Sequence, residues 1–415
     1  MKKTRNIQLI LTTYLIINVL YMLTGIMLWY NHAISYETFS KGLIILLGTN
    51  IITIITLIIK KKYKPQKTDY IMIALIIFGI ISTIFAYNPK YALFGFRGRY
   101  EGLFQITYYI SLMFISTFIE KKYKKPVIYV LLFTGFVNVC CALNQLLDNL
   151  SMLLYKEVDF QNIKGFITNS NFYGTYILMC LGYTTGLYLD SKTKKEKTIF
   201  YLLMILFIIG LLISNALSCT LGFIGILIYI IIYSIKTKKI KRSIIITATF
   251  IITLITLSKL DMTYIGNSLI QTKEEVKEIS KGNNNDKFGT DRIFIWKNMM
   301  QKVPENTLTG IGIDNLYYLF DGKPLLGYNG TIYYDKAHNE YLHTLLTQGL
   351  FAVITYTTLY LFAILKGIEK SFKNKEIYLL LPIGGYLIQA FFNISVIEVA
   401  PIFYIGLGFL LDRTE

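Results

Sequence analysis

The chain has 415 residues, of which 54% are apolar and only 16% are charged, whereas a soluble domain carries about 25% charged residues. This composition excludes an ordinary soluble fold. The net charge of +17 would point to nucleic acid in a soluble protein, but in a membrane protein the positions of the basic residues matter more than their sum, so we predict no nucleic-acid partner.

Apolar runs predict twelve membrane-spanning helices, because one span uses about 20 predominantly apolar residues. We therefore expect an all-α fold, a polytopic membrane helix bundle embedded in a lipid bilayer. The first run is too long for the apolar core of a signal peptide and is interpreted as a retained span. In chain order the runs lie near residues 7–30, 42–59, 69–87, 102–119, 126–148, 171–189, 198–214, 216–235, 243–260, 339–365, 376–397 and 400–411.

Basic residues are concentrated in every second interhelical loop. The N-terminal segment, the loops after spans two, four, six, eight and ten, and Arg413 hold 26 of the 42 Lys and Arg residues. Since Lys and Arg accumulate on the cytoplasmic side, we predict that both termini are cytoplasmic. The chain then divides into residues 1–198 with spans one to six, residues 199–355 with one large extracytoplasmic loop (261–337) between spans nine and ten, and residues 356–415 with the C-terminal spans.

The large loop contains the first candidate for chemistry. Residues from Thr290, a potential cap, onward have apolar side chains at the spacing of one helical face: Ile293, Trp296, Met299, Met300 and Val303. Arg292 would lie in the first turn of this amphipathic helix, where free amides and the helix dipole favour an anion. Two interpretations stay open. Arg292 pairs with Asp291 or a lipid phosphate, or it binds a phosphate group of a substrate.

The second candidate lies where the loop re-enters the membrane. His338 precedes span ten, and on a continuous helix Gly349 and Ala352 fall near the same face. Such a stripe of small residues is a surface along which membrane helices pack closely, which predicts that His338 faces the bundle interior and His343 does not. A neutral imidazole there can act as a general base. The alternative is an interface residue without a catalytic role.

Metal and nucleotide motifs are missing from the sequence. Asp335, His338 and Glu340 match no compact ligand spacing, and the four cysteines fall inside apolar runs. No phosphate-binding glycine loop follows a strand. We therefore predict neither a metal site nor a cofactor.

Two further outer segments carry polar residues at the same predicted level of the membrane. Arg97 and Arg99 precede span four, on the side that is usually poor in basic residues. They either anchor to lipid headgroups or complete a cationic site with Arg292 that holds a pyrophosphate. Asn171, at the start of span six, adds a polar group.

Five short motifs carry a resemblance to a known family. The loop contains T-D-R-x-x-x-W and P-E-N-T-L-T-G-I-G, and H-N-x9-G-L-F-A runs from His338 through Gly349 to Ala352. Weaker signatures are R-Y-E-G-L, which begins at Arg99, and N-S-N-F-Y-G-T-Y, which begins at Asn169. Together they resemble the O-antigen ligase and Wzy polymerase superfamily of bacterial membrane enzymes, with the specific motifs in residues 200–355.

The resemblance implies metal-independent transfer of a glycan from undecaprenyl pyrophosphate to an acceptor hydroxyl on a glycan, lipid or protein, at the outer face of the bacterial plasma membrane. It also implies that His338 is the catalytic base and that Arg292 binds the pyrophosphate leaving group. Arg99 and, less directly, Arg97 would assist, with support from Asn339, Gly349, Glu101 and Asn171. Many relatives carry Ser-Arg where this chain has Ser218 and Cys219, so either Arg97 or Arg99 supplies that charge or the donor is bound differently.

Three functions stay open at this point. Ligase-like transfer is favoured, a Wzy-type polymerase would use the same donor with another acceptor, and a lipid-linked glycan transporter or flippase is the competing class. Transporters of this size frequently show two related halves, and no repeat between halves is visible here. Sugar identity, acceptor and oligomeric state are not predicted.

Overall fold

The protein is a bundle of helices with one small hairpin. The computed structural model describes residues 2–60, 63–153, 163–283, 288–289, 292–320, 325–327, 330–332 and 334–413. Strands β1 (Leu325–Gly327) and β2 (Gly330–Ile332) pair antiparallel. The helices are α1 (Lys2–Tyr30), α2 (Tyr36–Lys60), α3 (Lys67–Ile84), α4 (Pro89–Phe94), α5 (Leu103–Ser116), α6 (Lys121–Leu153), α7 (Ser170–Asp190), α8 (Lys194–Ile213), α9 (Leu217–Thr237), α10 (Ile240–Lys259), α11 (Ile265–Ser280), α12 (Arg292–Gln301), α13 (Glu340–Gln348), α14 (Leu350–Lys373), α15 (Ile377–Ala390) and α16 (Ala400–Leu410).

Within the described residues, eight helices are long and apolar enough to cross a membrane: α1, α2, α3, α6, α8, α9, α10 and α14. Shorter apolar helices α5, α15 and α16, together with α7, occupy the other predicted spans. The outer helices expose large aliphatic side chains, such as Ile52 on α2 and Ile252 on α10, as expected of a surface covered by lipid. The predicted polytopic membrane helix bundle is confirmed.

Helix α7 lies at the centre of the bundle. All its residues from Phe172 to Leu189 are buried, and it packs against α6, α8, α9 and α15. Glycines permit the closest approaches: a Cβ at Gly186 would lie 2.2 Å from the Tyr378 Cα on α15. The polar, glycine-rich sequence of α7 is therefore tolerated because this helix contacts protein on all sides.

The tenth predicted span is two helices rather than one. Gly349 separates α13 from α14 at φ +85°, and a Cβ there would lie 2.1 Å from the Leu308 carbonyl oxygen, so the bend requires glycine for both conformation and space. His338 lies before the Asn339 N-cap, at φ +49°. The predicted stripe through His338, Gly349 and Ala352 is therefore wrong, since helical periodicity ends where the helix ends.

The bend is held by the loop that precedes the hairpin. The amides of Ile311 and Gly312 donate to the carbonyls of Leu346 and Thr347, both at 3.0 Å, and the Leu350 amide donates to the Thr307 carbonyl at 2.7 Å. The first two bonds satisfy carbonyl groups at the end of α13 that its own turns leave free, and the third joins the start of α14 to the same loop. The loop thereby fixes the direction of α13 and the position of its N-terminus.

Helix α12 belongs to a second apolar core outside the main bundle. Ile295 and Met299 are its buried residues, whereas Met300 is 55% exposed. The predicted face was thus partly wrong, because the neighbouring loop packs on the side of Ile295. Thr290 and Asp291 lie outside the described residues. The cluster comprises Ile295, Met299, Ile311, Leu316, Leu319, Tyr334, Ala337, Leu342 and Leu346.

Two ends of the bundle are distinguished below. The loop end contains residues 85–102, 163–169, 391–399 and the described residues of 261–339, and the terminal end contains the described residues at the chain termini and of the loops that join α2 to α3, α5 to α6, α7 to α8 and α14 to α15. The predicted division of the chain at residues 198 and 355 stays a prediction, as does the cytoplasmic location of the terminal end.

Candidate active site

His338 lies at the loop end, immediately before α13. The Asn339 side chain caps this helix by accepting from the amides of Tyr341 and Leu342, both at 3.0 Å. On the other side, the indole nitrogen of Trp296 donates to the Ala337 carbonyl at 3.1 Å. A helix cap and a residue of α12 thus hold the backbone on both sides of His338, and the predicted supporting role of Asn339 has this structural basis.

Three charged side chains surround His338. Burial and, next, the charge of Arg292 lower its pKa to about 4; Arg99 acts in the same direction and Asp335 opposes it. His338 is partly exposed, and its imidazole has no hydrogen bond to another described residue. The structure therefore brings His338, Arg292 and Arg99 together and keeps the imidazole neutral at physiological pH.

Arg292, the first residue of α12, is partly buried. Its Nε donates to the Phe392 carbonyl at 3.1 Å and its Nη1 to the Gly289 carbonyl at 2.9 Å. Burial lowers the pKa of Arg292, and Cys219 in the first turn of α9 is the titratable group that opposes this. The cation near Cys219 in this chain is therefore Arg292 itself.

The first turns of α7 and α9 meet beside Arg292. The Cys219 thiol lies 3.5 Å from the Asn171 carbonyl oxygen and 3.5 Å from the Thr175 hydroxyl. Asn171 thus borders the site through its backbone, and its own amide donates to the Asn169 side chain at 2.8 Å. Two helix N-termini with their partial positive charge therefore lie near the guanidinium.

Arg99 is engaged by a carboxylate. Its Nε donates to Asp335 Oδ2 at 2.5 Å and its Nη2 to Asp335 Oδ1 at 3.3 Å. Although burial opposes the charge, these contacts raise the pKa of Arg99. Arg99, Arg292 and Asp335 together leave one net positive charge beside His338.

Arg97 lies elsewhere. Its side chain is exposed in the turn between α4 and α5, and its charge acts on Glu37. It is not among the groups that shift the pKa of His338. The structure therefore does not bring Arg97 to the site.

Sequence reasoning missed a buried ionic triad next to the site. The ammonium of Lys336 lies 3.0 Å from Glu101 and 3.0 Å from Asp314; the three side chains are at most 6% exposed. Asp314 also accepts from the Phe96 amide at 2.7 Å. Although burial opposes the charge, the two carboxylates raise the pKa of Lys336.

The triad joins the segment that carries Arg99 to the segment that carries His338. Lys336 is two residues from His338 and Glu101 is two residues from Arg99, so the ionic contacts fix the two segments relative to each other. Glu101, predicted as a supporting residue, acts through this connection. The one sign of the triad in the sequence was a basic residue, Lys336, directly before the A-H-N motif.

Among the described residues, no group of three or more His, Cys, Asp or Glu side chains is arranged to hold a metal ion.

Comparison with known proteins identifies the region that carries these residues. The family model described as O-antigen ligase matches residues 202–357, which include Cys219, Arg292, His338 and Gly349. No curated protein matches the chain. Residues 202–357 are therefore similar to the O-antigen ligase family, and the resemblance drawn from the motifs is confirmed.

Proposed function

We propose that this membrane protein transfers a glycan from a polyprenyl pyrophosphate, such as undecaprenyl pyrophosphate, to an acceptor hydroxyl during assembly of a cell-surface polysaccharide. The observation that carries the proposal is the neutral imidazole of His338 flanked by Arg292 and Arg99 at the loop end. A base next to cations is the arrangement required when a hydroxyl attacks while a diphosphate leaves.

The reaction balances without a cofactor. The acceptor oxygen attacks the anomeric carbon of the donor sugar while His338 takes the hydroxyl proton. The bond between the anomeric carbon and the pyrophosphate oxygen breaks, and the polyprenyl pyrophosphate leaves with the electron pair. Attack opposite to the leaving group inverts the anomeric configuration. The proposal requires no metal, so transfer should persist in the presence of a chelator.

Donor binding should activate the base. An imidazole with a pKa of about 4 is a weak proton acceptor at neutral pH. A diphosphate beside Arg292 would offset the positive charge that lowers this pKa, and the pKa of His338 would rise. Proton removal would then become effective only when the leaving group is in place.

The three arginines should contribute unequally. Arg292 lies beside the first turns of α7 and α9, so its guanidinium and the helix ends act on the same anion. Arg99 already makes two hydrogen bonds to Asp335 and would assist mainly through its charge. Arg97 is exposed and should matter least.

A transfer assay tests the proposal. Purified protein would be incubated with an undecaprenyl-pyrophosphate oligosaccharide and candidate glycan, lipid and protein acceptors, with His338→Ala and Arg292→Ala beside the matched control Arg97→Ala. We expect the control to transfer the glycan like wild type, and both site variants to be impaired. Full activity of His338→Ala would contradict the assigned mechanism. A product ladder would indicate a polymerase, single addition a ligase, and counterflow of the lipid-linked glycan without covalent transfer a flippase.

The site is proposed to face outward from the bacterial plasma membrane. Exposed positions at the two ends of the bundle, Arg97 and Lys192, allow a direct test in a variant without native cysteines. In intact cells or spheroplasts, a membrane-impermeant maleimide should label Arg97→Cys and leave Lys192→Cys unlabelled. The reverse pattern would place the site on the cytoplasmic side.

A further inference from the structure

A polar cavity lies next to the segment that carries His338, and Arg292 is not among the residues that line it. It is enclosed by α5, α13, α14, α15 and α16 together with the segments that carry Glu101, Lys336 and Ser395. Lys336 and Glu340, which both line it, are each two residues from His338. The cavity and the candidate active site are therefore built on the same short stretch of chain.

Two side-chain atoms in the cavity wall are without a hydrogen-bond partner among the described residues. These are Nδ1 of His343 and Oε1 of Gln348, and Gln348 is only 7% exposed. Buried polar atoms in folded proteins are nearly always hydrogen-bonded to protein, water or ligand. The unpaired atoms thus indicate that the cavity holds a molecule with hydrogen-bonding groups.

The carboxylates of the wall are oriented and retain acceptor capacity. The Tyr386 hydroxyl donates to Glu340 at 2.6 Å, and the Ser395 hydroxyl donates to Glu101 at 2.6 Å. A carboxylate accepts up to about four hydrogen bonds, and in the described part of the chain the Glu340 side chain receives only that of Tyr386. Glu340 can therefore accept further hydrogen bonds from ligand hydroxyl groups.

The charges of the wall disfavour an anion. Lys336, the only Lys or Arg that lines the cavity, is already paired with Glu101 and Asp314. The described residues also offer no group suited to a metal ion. Aromatic surface is abundant: the rings in the wall belong to Tyr109, Tyr356, Tyr360, Tyr386, Phe403 and Tyr404. Oriented carboxylates, an amide and aromatic rings suit a neutral ligand with several hydroxyl groups.

We propose that this cavity is a subsite for a neutral sugar ring of the acceptor glycan. The inference rests on the proposed function and adds to it the chemical class of acceptor. The acceptor, rather than the donor, is assigned because the cation suited to the diphosphate is Arg292, which lies beside α7, α9 and Phe392. A sugar in the cavity would lie beside Lys336 and Glu340, each two residues from His338.

Sugar binding can be measured without turnover. Saturation-transfer NMR on the full chain in detergent would use a panel of methyl hexopyranosides, methyl N-acetylhexosaminides and their disaccharides. We expect signal from at least one member with wild type and with His338→Ala, and a loss of affinity of about tenfold or more with Gln348→Leu, which removes an acceptor that the ligand would satisfy. The matched control is Gln301→Leu on exposed α12 surface, which should bind like wild type.

The outcomes separate this inference from the proposed function. If the cavity holds only water, no member of the panel will give a signal, and the inference is overturned. It is also overturned if Gln348→Leu and His343→Leu both bind sugar like wild type. If thermal unfolding shows that Gln348→Leu does not fold, His343→Leu provides the test. If sugar binding is lost in these variants while His338→Ala retains transfer, the catalytic assignment fails and the subsite stands. In the transfer assay, both variants should raise KM for the acceptor about tenfold and leave KM for the donor unchanged.

Discussion

The two ends of the bundle both contain buried or partly buried charges, but they use them differently. At the terminal end, Asp412 pairs with Lys124 and Lys370, and none of the three side chains is more than 2% exposed. At the loop end, Arg99 and Asp335 are 27% and 26% exposed, and the neighbouring imidazole of His338 is without a partner among the described residues.

A second ion pair at the terminal end involves Arg413. The guanidinium of Arg413 pairs with Asp69, donates to the Thr117 hydroxyl at 2.8 Å, and lies 4.6 Å from the ring centre of Phe118. The described partners of this guanidinium are thus a carboxylate, a hydroxyl and an aromatic ring of the protein itself. The comparison teaches that the cations of the terminal end serve the fold through partners within the protein, whereas the loop end places its arginines near an imidazole that is without a hydrogen-bond partner among the described residues.

The largest expected effect concerns the loop end. Replacing His338 with Ala should reduce transfer about 10²–10⁴-fold, the usual contribution of a general base. It should leave thermal unfolding unchanged, because the imidazole has no hydrogen bond to another described residue. Initial rates and melting temperatures measured on the same preparations would check both halves. A large fall in melting temperature would show instead that His338 stabilises the fold.

The next effect concerns the terminal end. Replacing Asp412 with Ala should lower the free energy of unfolding by about 3–5 kcal/mol, because two buried lysines lose their counter-ion. Chemical denaturation in detergent would measure this, and the activity of the folded fraction should match wild type. Glu369→Gln, which removes an exposed ion pair with Lys373, is the control and should leave stability unchanged. Loss of activity in folded Asp412→Ala would contradict the proposal that the charges of the terminal end serve stability alone.

Replacing Arg292 should weaken binding of the donor. Replacing it with Ala should raise KM for the donor about 10–100-fold, since hydrogen bonds to a charged group contribute about 1.5–3 kcal/mol. Arg97→Ala should leave KM unchanged. Steady-state kinetics with varied donor would distinguish them, and equal effects of the two substitutions would show that the exposed arginine also contacts substrate.

The smallest effect is on pH dependence. In the free enzyme, kcat/KM should fall at acidic pH where His338 becomes protonated, near its pKa of about 4. Arg292 lowers this pKa, so Arg292→Gln should move the acidic limb to higher pH. Asp335 raises it, so Asp335→Asn should move the limb to lower pH. The pH profile of kcat/KM measures both shifts, and shifts in the reverse directions would exclude His338 as the titrating base.

Individual residues show how far sequence reasoning reached. Apolar runs located the helices because burial in lipid demands long stretches without charge, and motif spacing selected Arg292 and His338. The helical face drawn through His338 failed because it assumed that residues 339–365 form one helix. The break at Gly349 depends on Leu308, 41 residues earlier, whose carbonyl leaves no space for a Cβ.

The arginines show a second limit. Arg97 and Arg99 lie two residues apart in one outer loop, and their residue type and predicted location in the membrane were the same. Only the fold distinguishes them, since the turn after α4 directs Arg99 toward Asp335 and leaves Arg97 exposed. Lys336 was counted only as one basic residue of a long loop, although its pairing with Glu101 and Asp314 places it among the most buried charges of the molecule.

The sequence by itself determined that this protein is a helical membrane bundle with motifs similar to those of the O-antigen ligase superfamily, and which residue types are available for chemistry, because hydropathy and short motifs are local properties of a chain. The tertiary structure decided which of those residues meet. Contacts such as Arg99 with Asp335 and Cys219 with Arg292 join residues that lie far apart in the chain. Their existence depends on helix packing and loop direction, for which no local pattern in the sequence carries a signal.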